Sequence, residues 1–301
     1  MPLNFTLGLM KHMEYELIHQ DSADKKATSV DRISFLAFVK HATFAGINRR
    51  IFPHLPFRYS SLFFEFAPSF FLSDHFQLLP ELVNDPTETA YISNRIGRAF
   101  ADYFSKKLYG ARFTHSYECA MELKGYPISG KRPDFYCDAL NKQFAVEAKG
   151  YSAQSVSDTA MQKHKTQSTT GPLKVHFSAA SVAYNLYREP KIKFYDPEGD
   201  DIPYDGTLNS ELRGLYYQSV LDFIERVSDR RIQSDFSDYF AYNIPYPFMA
   251  VRQILVHKAI SERSWNTTEW LTSIEHKDGE NNEFYIDVDG IGLTNRSTRT
   301  R

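Results

Sequence analysis

The middle third of the chain carries the clearest hydrophobic pattern, and this pattern predicts a long amphipathic helix between residues 86 and 108. Asp85-Pro86 is typical of a helix start, and Gly110 is typical of a helix end. Between them, apolar residues recur at the spacing that places them on one side of a helix. They are Ile92, Ile96, Ala99, Phe100, Tyr103 and Phe104.

Strand-like stretches follow this helix. Residues 113–123, 132–140 and 143–149 are rich in apolar and β-forming side chains, and short loops separate them. A second helix is expected over 153–168 and a further strand over 174–182. The order helix, three strands, helix and strand predicts an α/β fold built around a mixed sheet.

The outer parts of the chain have less regular patterns. Helical spacing occurs over 208–231 and 249–263, and two strands are expected around Asp278-Gly279. We therefore divide the chain into three parts on sequence alone. They are an N-terminal elaboration (1–85), a central core (86–190) and a C-terminal α+β elaboration (191–301).

The turn between the second and third predicted strands sets their expected pairing. If residues 141–142 form a two-residue hairpin loop, Asp134 lies directly opposite Lys149. Glu147 is then the diagonal neighbour of Asp134. Two carboxylates and one ammonium group would therefore meet at one end of the hairpin.

Side chains alternate between the two faces of such a hairpin. One face is wholly apolar and is expected to pack on the core. It carries Phe135, Cys137, Ala139, Phe144, Val146 and Ala148. The other face carries Asp134, Tyr136, Asp138, Glu147 and Lys149. Because a slip of one residue would mix the two sets, the pattern supports this assignment of faces.

The charged end of the hairpin predicts a metal site. Asp134 and Glu147 would repel each other unless a cation lies between them. Mg²⁺ suits this arrangement because it accepts one or two carboxylates and completes its shell with waters and phosphate oxygens. The carbonyl of Ala148 is a further candidate ligand. Lys149 would position or deprotonate an attacking water and offset charge at phosphorus.

Pro133-Asp134, followed thirteen residues later by Glu147-Ala148-Lys149, resembles the motif of the PD-(D/E)xK nuclease superfamily. The resemblance covers about residues 86–185. It implies a restriction-endonuclease-like core, made of a helix, a three-stranded hairpin sheet, a helix and a strand, with helical and β elaborations at both ends. In that family the Asp and Glu bind a divalent metal, and the Lys acts at the scissile phosphate.

The resemblance implies a Mg²⁺-dependent deoxyribonuclease in which Mn²⁺ can substitute. The expected partner is nucleic acid, DNA in preference to RNA, with a role in restriction or phage defence. A homodimer or partner subunits of a defence complex would fit such a role. Two other interpretations stay open: a surface hairpin with an ordinary Asp134–Lys149 salt bridge, and a non-catalytic nucleic-acid-binding or assembly subunit.

Further candidate residues flank the motif. Many relatives carry an acid on the first core helix, where this chain offers Glu88 as a metal ligand; an N-terminal acid that only stabilises the helix is the alternative. Asn94 stands where a deeper acid is often found. The candidate nucleic-acid contacts are Lys131, Arg132, Lys165 and Gln167, each of which is also compatible with an ordinary polar surface.

Composition narrows the class of protein. The 301 residues carry a net charge of −2, which argues against a uniformly basic nucleic-acid binder but leaves room for a local basic groove. Cys119 and Cys137 are expected to be reduced and buried. No apolar stretch is long enough to span a membrane and no signal peptide is evident, so we expect a cytoplasmic protein without a membrane partner.

Overall fold

Two β-sheets organise this mixed α/β fold. The computed structural model describes residues 12–21, 25–47, 55–71, 76, 84–195, 199, 201–228, 230–244 and 253–295. Within these ranges the strands are β1 (His12–Gln20), β2 (Lys26–Ser34), β3 (Phe113–Ser116), β4 (Phe135–Asp138), β5 (Gln143–Gly150), β6 (Phe177–Tyr184), β7 (Lys191–Tyr195), β8 (Arg231–Gln233), β9 (Tyr239–Asn243), β10 (Gln253–His257), β11 (Lys277–Asp278), β12 (Phe284–Ile286) and β13 (Ile291–Thr294).

Helices cover the sheets. They are α1 (Phe35–Phe44), α2 (Leu55–Phe71), α3 (Pro86–Tyr109), α4 (Tyr117–Leu123), α5 (Asp158–Ser168), α6 (Gly206–Val227), α7 (Lys258–Ser261) and α8 (Glu269–Thr272), with a 3-10 helix at Glu280–Asn282. None of the helices in the described ranges combines the length and apolar composition needed to cross a membrane.

The larger sheet is mixed, in the order β2-β1-β7-β6-β5-β4-β3. Its parallel pairs are β1 with β7 and β5 with β6, and its other neighbours are antiparallel. The smaller sheet is antiparallel, in the order β11-β12-β13-β10-β9-β8. Strands from before residue 85 and after residue 190 therefore lie in the same sheet as the central strands.

Helix α3 confirms the long helix that the periodicity predicts. The Asp85 side chain accepts the N–H groups of Thr87 (2.8 Å) and Glu88 (3.1 Å), which caps the helix start. At the other end, Gly110 takes a left-handed conformation with φ 67°. The apolar side of α3 packs in the main core with α1 and the larger sheet.

The middle of α3 lies directly on the end of β5, with backbone against backbone. A Cβ atom on Gly97 would lie 2.4 Å from the carbonyl oxygen of Lys149. A Cβ atom on Gly150 would lie 1.7 Å from the carbonyl oxygen of Ser93. Since neither distance leaves room for a side chain, glycine is required at both positions for this helix–strand contact.

The single strand expected over 113–123 was wrong. The strand ends at Ser116, and Tyr117–Leu123 form α4. Tyr117, Ala120 and Met121 have the i, i+3, i+4 spacing of a helix and pack beneath α6, with Leu208 and Leu212. A run this short satisfies both the strand and the helix pattern, and burial against α6 favours the helix.

Other boundaries differ by smaller amounts. The helices expected over 153–168 and 208–231 occur as α5 and α6, and the strand expected over 174–182 occurs as β6. The helix expected over 249–263 was wrong over 253–257, which form β10, and is confirmed only over the four residues of α7; residues 249–252 lie outside the described ranges. Residues 253–257 form a strand because β10 lies between β13 and β9 in the smaller sheet, where pairing on both sides outweighs the local helical pattern.

A buried charge network joins helices α1 and α3 to the smaller sheet. Lys40 of α1 and Lys106 of α3 both contact the carboxylates of Asp287 and Asp289, in the turn between β12 and β13. The Lys106 ammonium lies 2.6 Å from Asp287 and 2.9 Å from Asp289, and the Tyr216 hydroxyl donates to Asp289 at 2.6 Å. None of the four charged side chains is more than 5% exposed. Each charge therefore depends on its partners for stabilisation.

We expect Lys106→Met to reduce the free energy of unfolding by about 3–5 kcal/mol, because it leaves two buried aspartates with one lysine between them. The matched control is Lys107→Met, which removes a half-exposed ammonium paired with Asp31. That change should cost at most about 1 kcal/mol. Urea unfolding at neutral pH measures both values, and equally small losses would show that the network does not hold the helices to the smaller sheet.

Candidate active site

The hairpin of β4 and β5 turns one residue earlier than the sequence indicated. Asp138 pairs with Gln143 and the Ala139 N–H donates to the Lys142 carbonyl at 2.9 Å, so residues 140–141 form the turn in place of residues 141–142. Within it, Leu140 takes a positive φ of 68° and donates its N–H to the Asp138 carboxylate at 2.7 Å. A side-chain hydrogen bond thus stabilises a turn that composition did not indicate.

This turn shifts the strand register by two residues. Phe135 pairs with Val146 at the start of β4, and the N–H of the preceding Asp134 donates to the same Val146 carbonyl at 3.1 Å. The expected pairing of Asp134 with Lys149 was therefore wrong. Because the shift is an even number of residues, every side chain keeps its predicted face.

Both faces of the hairpin are covered over most of their length. The apolar face packs in the main core, as predicted, through Phe135, Cys137, Phe144, Val146 and Ala148. On the opposite face, Tyr136 and Ala145 are buried beneath α4 and α6. Asp134 and Lys149, at the end of this face, keep 24% and 25% of their side chains exposed. The candidate site is therefore confined to one end of the hairpin.

Asp134, Glu147 and Lys149 meet at this end. The Lys149 ammonium lies 3.6 Å from Asp134 Oδ2 and contacts Glu147 Oε1 more closely. Asp134 Oδ2 also accepts the N–H of Ala148 at 3.0 Å. Arg98 of α3 donates to Asp134 Oδ1 at 2.8 Å. Two carboxylates and two cations thus form one cluster.

Glu147 has the least favourable environment for a negative charge. Its side chain is fully buried, and Oε2 accepts no hydrogen bond from the residues that the structure describes. Burial and the nearby charge of Asp134 raise the pKa of Glu147 to about 7, although Lys149 opposes this rise. A buried carboxylate oxygen without a partner beside a second carboxylate is suited to bind a cation.

Lys149 is held in its charged form. Burial alone would lower the pKa of Lys149, but Asp134 and Glu147 outweigh that effect and raise the pKa above its ordinary value. The ammonium therefore acts as a fixed positive charge between the two acids.

The carbonyl of Ala148 points towards the same end of the hairpin. The Val146 carbonyl faces β4, where it accepts the Asp134 N–H, and the Ala148 N–H faces the Asp134 carboxylate. Backbone groups two residues apart on a strand point to the same edge. The carbonyl of Ala148 therefore faces beyond the start of β4, on the side of Asp134.

The structure does not bring Glu88 into this cluster. Glu88 is exposed in the first turn of α3, where its N–H bonds to the capping Asp85. It precedes Arg98 by ten residues, a rise of about 15 Å along the helix. The helix contributes Arg98 to the site in place of an acid, and Asn94 is exposed.

The candidate nucleic-acid contacts mostly serve local structure. Arg132 pairs with Glu118, Lys165 donates to the Ser178 carbonyl at 2.9 Å, and Gln167 donates to the Arg132 carbonyl at 3.2 Å. These bonds tie α5 to β6 and to the loop before Asp134. Lys131 is exposed in that loop.

Two residues close to the cluster, Arg98 and His164, were not among the residues predicted from the sequence. The Arg98 guanidinium lies 4.5 Å from the centre of the Phe135 ring while it pairs with Asp134. On the other side of Lys149, the Tyr151 hydroxyl lies 3.0 Å from His164 Nε2. Burial and the charge of Lys149 lower the pKa of His164 and favour its neutral form. Arg98 immediately follows Gly97, the glycine that permits the helix–strand contact. This adjacency is the sequence signal for a site residue on α3.

A second group of metal-ligand residue types has a structural role. His41, Asp102 and Asp287 hold ligand atoms within 4.8 Å of one another. Two lysines already neutralise Asp287, while His41 bonds to Asp102 at 2.5 Å and to the Tyr285 hydroxyl at 2.6 Å. These polar groups are satisfied within the protein, unlike Glu147.

Glu147→Gln should change the pH dependence of stability. The folded-state pKa of Glu147, about 7, is above its ordinary value of 4.5, so the folded state binds the proton more tightly. This group's contribution to stability is greatest below pH 4.5 and is lost as the pH rises through about 7. Between pH 4.5 and 8, the free energy of unfolding of Glu147→Gln should therefore rise by about 1–3 kcal/mol relative to wild type.

Urea unfolding across this pH range measures the gain. Glu225→Gln, at an exposed position of α6, is the control and should follow wild type. A difference between Glu147→Gln and wild type that stays constant with pH would contradict the perturbed environment of Glu147.

The site is thus a cluster of Asp134, Glu147, Lys149 and Arg98 at the open end of a hairpin. Comparisons of the chain with protein-family models, with curated proteins and with solved structures found no match.

Proposed function

We propose that this protein is a metal-dependent nuclease that hydrolyses phosphodiester bonds. One observation carries the proposal: two carboxylates, one of them fully buried with an unpartnered oxygen, meet a charged lysine at an accessible end of a sheet. The order α3, β3, α4, β4, β5, α5 and β6 contains the helix, three strands, helix and strand of a restriction-endonuclease-like core, with α4 inserted between the first two strands, and it supports the proposal.

The residues present fit a bound Mg²⁺ or Mn²⁺ ion. Glu147 Oε2, the Asp134 carboxylate and the Ala148 carbonyl are hard oxygen ligands on one side of the hairpin. When bound, the ion would supply Lewis-acid polarisation of the phosphate and a water of lowered pKa. Since the pKa of Glu147 is about 7, occupation of the site would be coupled to loss of its proton.

Lys149 contributes positive charge in this mechanism. Its raised pKa keeps the amine protonated at neutral pH, so it is unsuited to accept a proton from water. The ammonium lies between the two acids, where it can hold a water by hydrogen bonding and offset the charge that develops on phosphate oxygens. Of the two roles that the sequence left open, the geometry therefore favours positioning and charge stabilisation.

The finer parts of this proposal follow from the resemblance to the nuclease family. They are a preference for DNA over RNA, a role in restriction or phage defence, a cytoplasmic location, and assembly as a homodimer or with partner subunits. Cutting both strands of a duplex would need two such sites, which a homodimer would provide.

A non-catalytic nucleic-acid-binding subunit is the second candidate function. One observation favours it: both oxygens of Asp134 already have partners within the chain, namely Arg98 and the Ala148 N–H. An internally neutralised cluster needs no metal to be stable. Metal binding and turnover separate the two functions.

We expect wild-type protein to cleave labelled DNA in Mg²⁺ or Mn²⁺, and Asp134→Asn and Lys149→Met to lower the rate at least about 100-fold. Each variant keeps side-chain volume but removes a ligand charge or the fixed ammonium. Gel assays with single-stranded and duplex DNA and RNA measure the rates and rank the substrates. Glu225→Gln is the control for a lost carboxylate.

Thermal unfolding of each variant checks that the fold is intact. Equal cleavage by wild type, Asp134→Asn and Lys149→Met would exclude this site as the source of activity. Nucleic-acid binding without metal-dependent cleavage would support the second function.

A further inference from the structure

Arg98 reaches the candidate site from the opposite layer of the fold. Helix α3 packs on the core face of the sheet, whereas Glu147 and Lys149 project from the other face. The guanidinium passes the start of β4, where it lies over the Phe135 ring and bonds to Asp134 Oδ1 at 2.8 Å. Arg98 is therefore held by two independent contacts, one of which does not involve the acid.

The pairing of Arg98 with Asp134 opposes metal binding at the same carboxylate. Asp134 Oδ1 is taken by Arg98, and Oδ2 by the Ala148 N–H with Lys149 3.6 Å away. A divalent ion on Asp134 would lie within a few ångströms of the guanidinium, where like charges repel strongly. The Asp134–Arg98 bond must therefore weaken when an ion binds.

Arg98 would remain near the site after that exchange. Its stacking on Phe135 does not depend on Asp134, and cation–π contacts of this type hold a guanidinium in place. The side chain is 22% exposed, and beyond its bond to Asp134 it makes no further hydrogen bond to the described residues. A planar guanidinium with free N–H groups is well suited to bind two oxygens of a phosphate.

We propose that Arg98 is an exchangeable partner of Asp134 that becomes the phosphate-binding residue of the site. Without metal, the guanidinium neutralises Asp134. When an ion ligates Asp134, the guanidinium turns its N–H groups to non-bridging oxygens of the substrate phosphodiester. This inference rests on the proposed nuclease function and adds to it a coupling between metal occupancy and phosphate binding.

The charges of the site agree with such an exchange. Asp134 and Glu147 balance Arg98 and Lys149 in the metal-free cluster. A divalent ion together with one phosphodiester adds a net single positive charge, and a released Arg98 lies nearest to the incoming negative charge. An arginine with a purely structural role would stay paired with Asp134, and its removal would weaken the site for all ligands.

Metal affinity gives the decisive test, because the exchange predicts a gain when Arg98 is removed. Titration of the full-length protein with Mn²⁺, followed by calorimetry and by the electron paramagnetic resonance signal of free Mn²⁺, needs no turnover. We expect Arg98→Met to bind Mn²⁺ at least about tenfold more tightly than wild type, since a competing cation is gone. Methionine keeps an apolar stem over Phe135. Arg98→Lys should show a smaller gain.

Phosphate binding should change in the opposite direction. A fluorescent duplex DNA oligonucleotide is titrated with Mn²⁺ present, in a Lys149→Met background that slows cleavage. Adding Arg98→Met should weaken DNA binding about tenfold. Arg98→Lys in its place should retain only part of the lost affinity. The matched control is Lys107→Met, which removes one exposed positive charge from the same helix. This control should change neither the affinity for Mn²⁺ nor the affinity for DNA.

The outcomes separate this inference from the function on which it rests. Mn²⁺ affinity that is unaffected by Asp134→Asn and Glu147→Gln would overturn both. Affinity that depends on the two acids but is equal or weaker in Arg98→Met would overturn the exchange alone. Tighter Mn²⁺ binding with unchanged DNA binding would overturn the phosphate role of Arg98.

Discussion

The backbone contact between α3 and the end of β5 fixes the relative positions of the groups in the candidate site. Gly97 and Ser93 lie against Lys149 and Gly150 with no side chain between them. This contact determines where Arg98 lies along the helix axis relative to Asp134, because Arg98 directly follows Gly97. It also fixes the strand end from which Glu147 and Lys149 project. A helix one side chain further away would leave Asp134 without its arginine.

The two acids of the site have different environments because the sheet places them differently. Asp134 lies just before β4, where an N–H group and a guanidinium donate to its carboxylate. Glu147 lies within β5, fully buried, with one oxygen unpartnered and a pKa of about 7. Both oxygens of Asp134 thus have partners within the chain, while Glu147 gains most from a cation. That asymmetry supports the proposed metal site in preference to a simple salt bridge.

Much of this geometry could be predicted from the sequence, and the parts that could not have identifiable causes. The faces of the hairpin were predictable because a period of two residues survives the two-residue shift in register. The register itself was not, because it depends on a hydrogen bond from Leu140 to Asp138 within the loop. Helix α4 was not predictable either, since its seven residues fit two patterns and only burial under α6 decides between them.

The helix contribution to the site was the least predictable feature, and the structure explains why. Periodicity locates the apolar side of α3 but does not say which polar residue meets Asp134. Along α3, Arg98, Asp102 and Lys106 recur every four residues on one side. Arg98 bonds to Asp134 in the site, whereas Asp102 and Lys106 belong to the buried network that joins α1 and α3 to the smaller sheet. A rotation or shift of α3 would break both sets of ion pairs together. The smaller sheet, far along the chain from Asp134, therefore helps to hold Arg98 at the position that the proposed exchange with a metal ion requires.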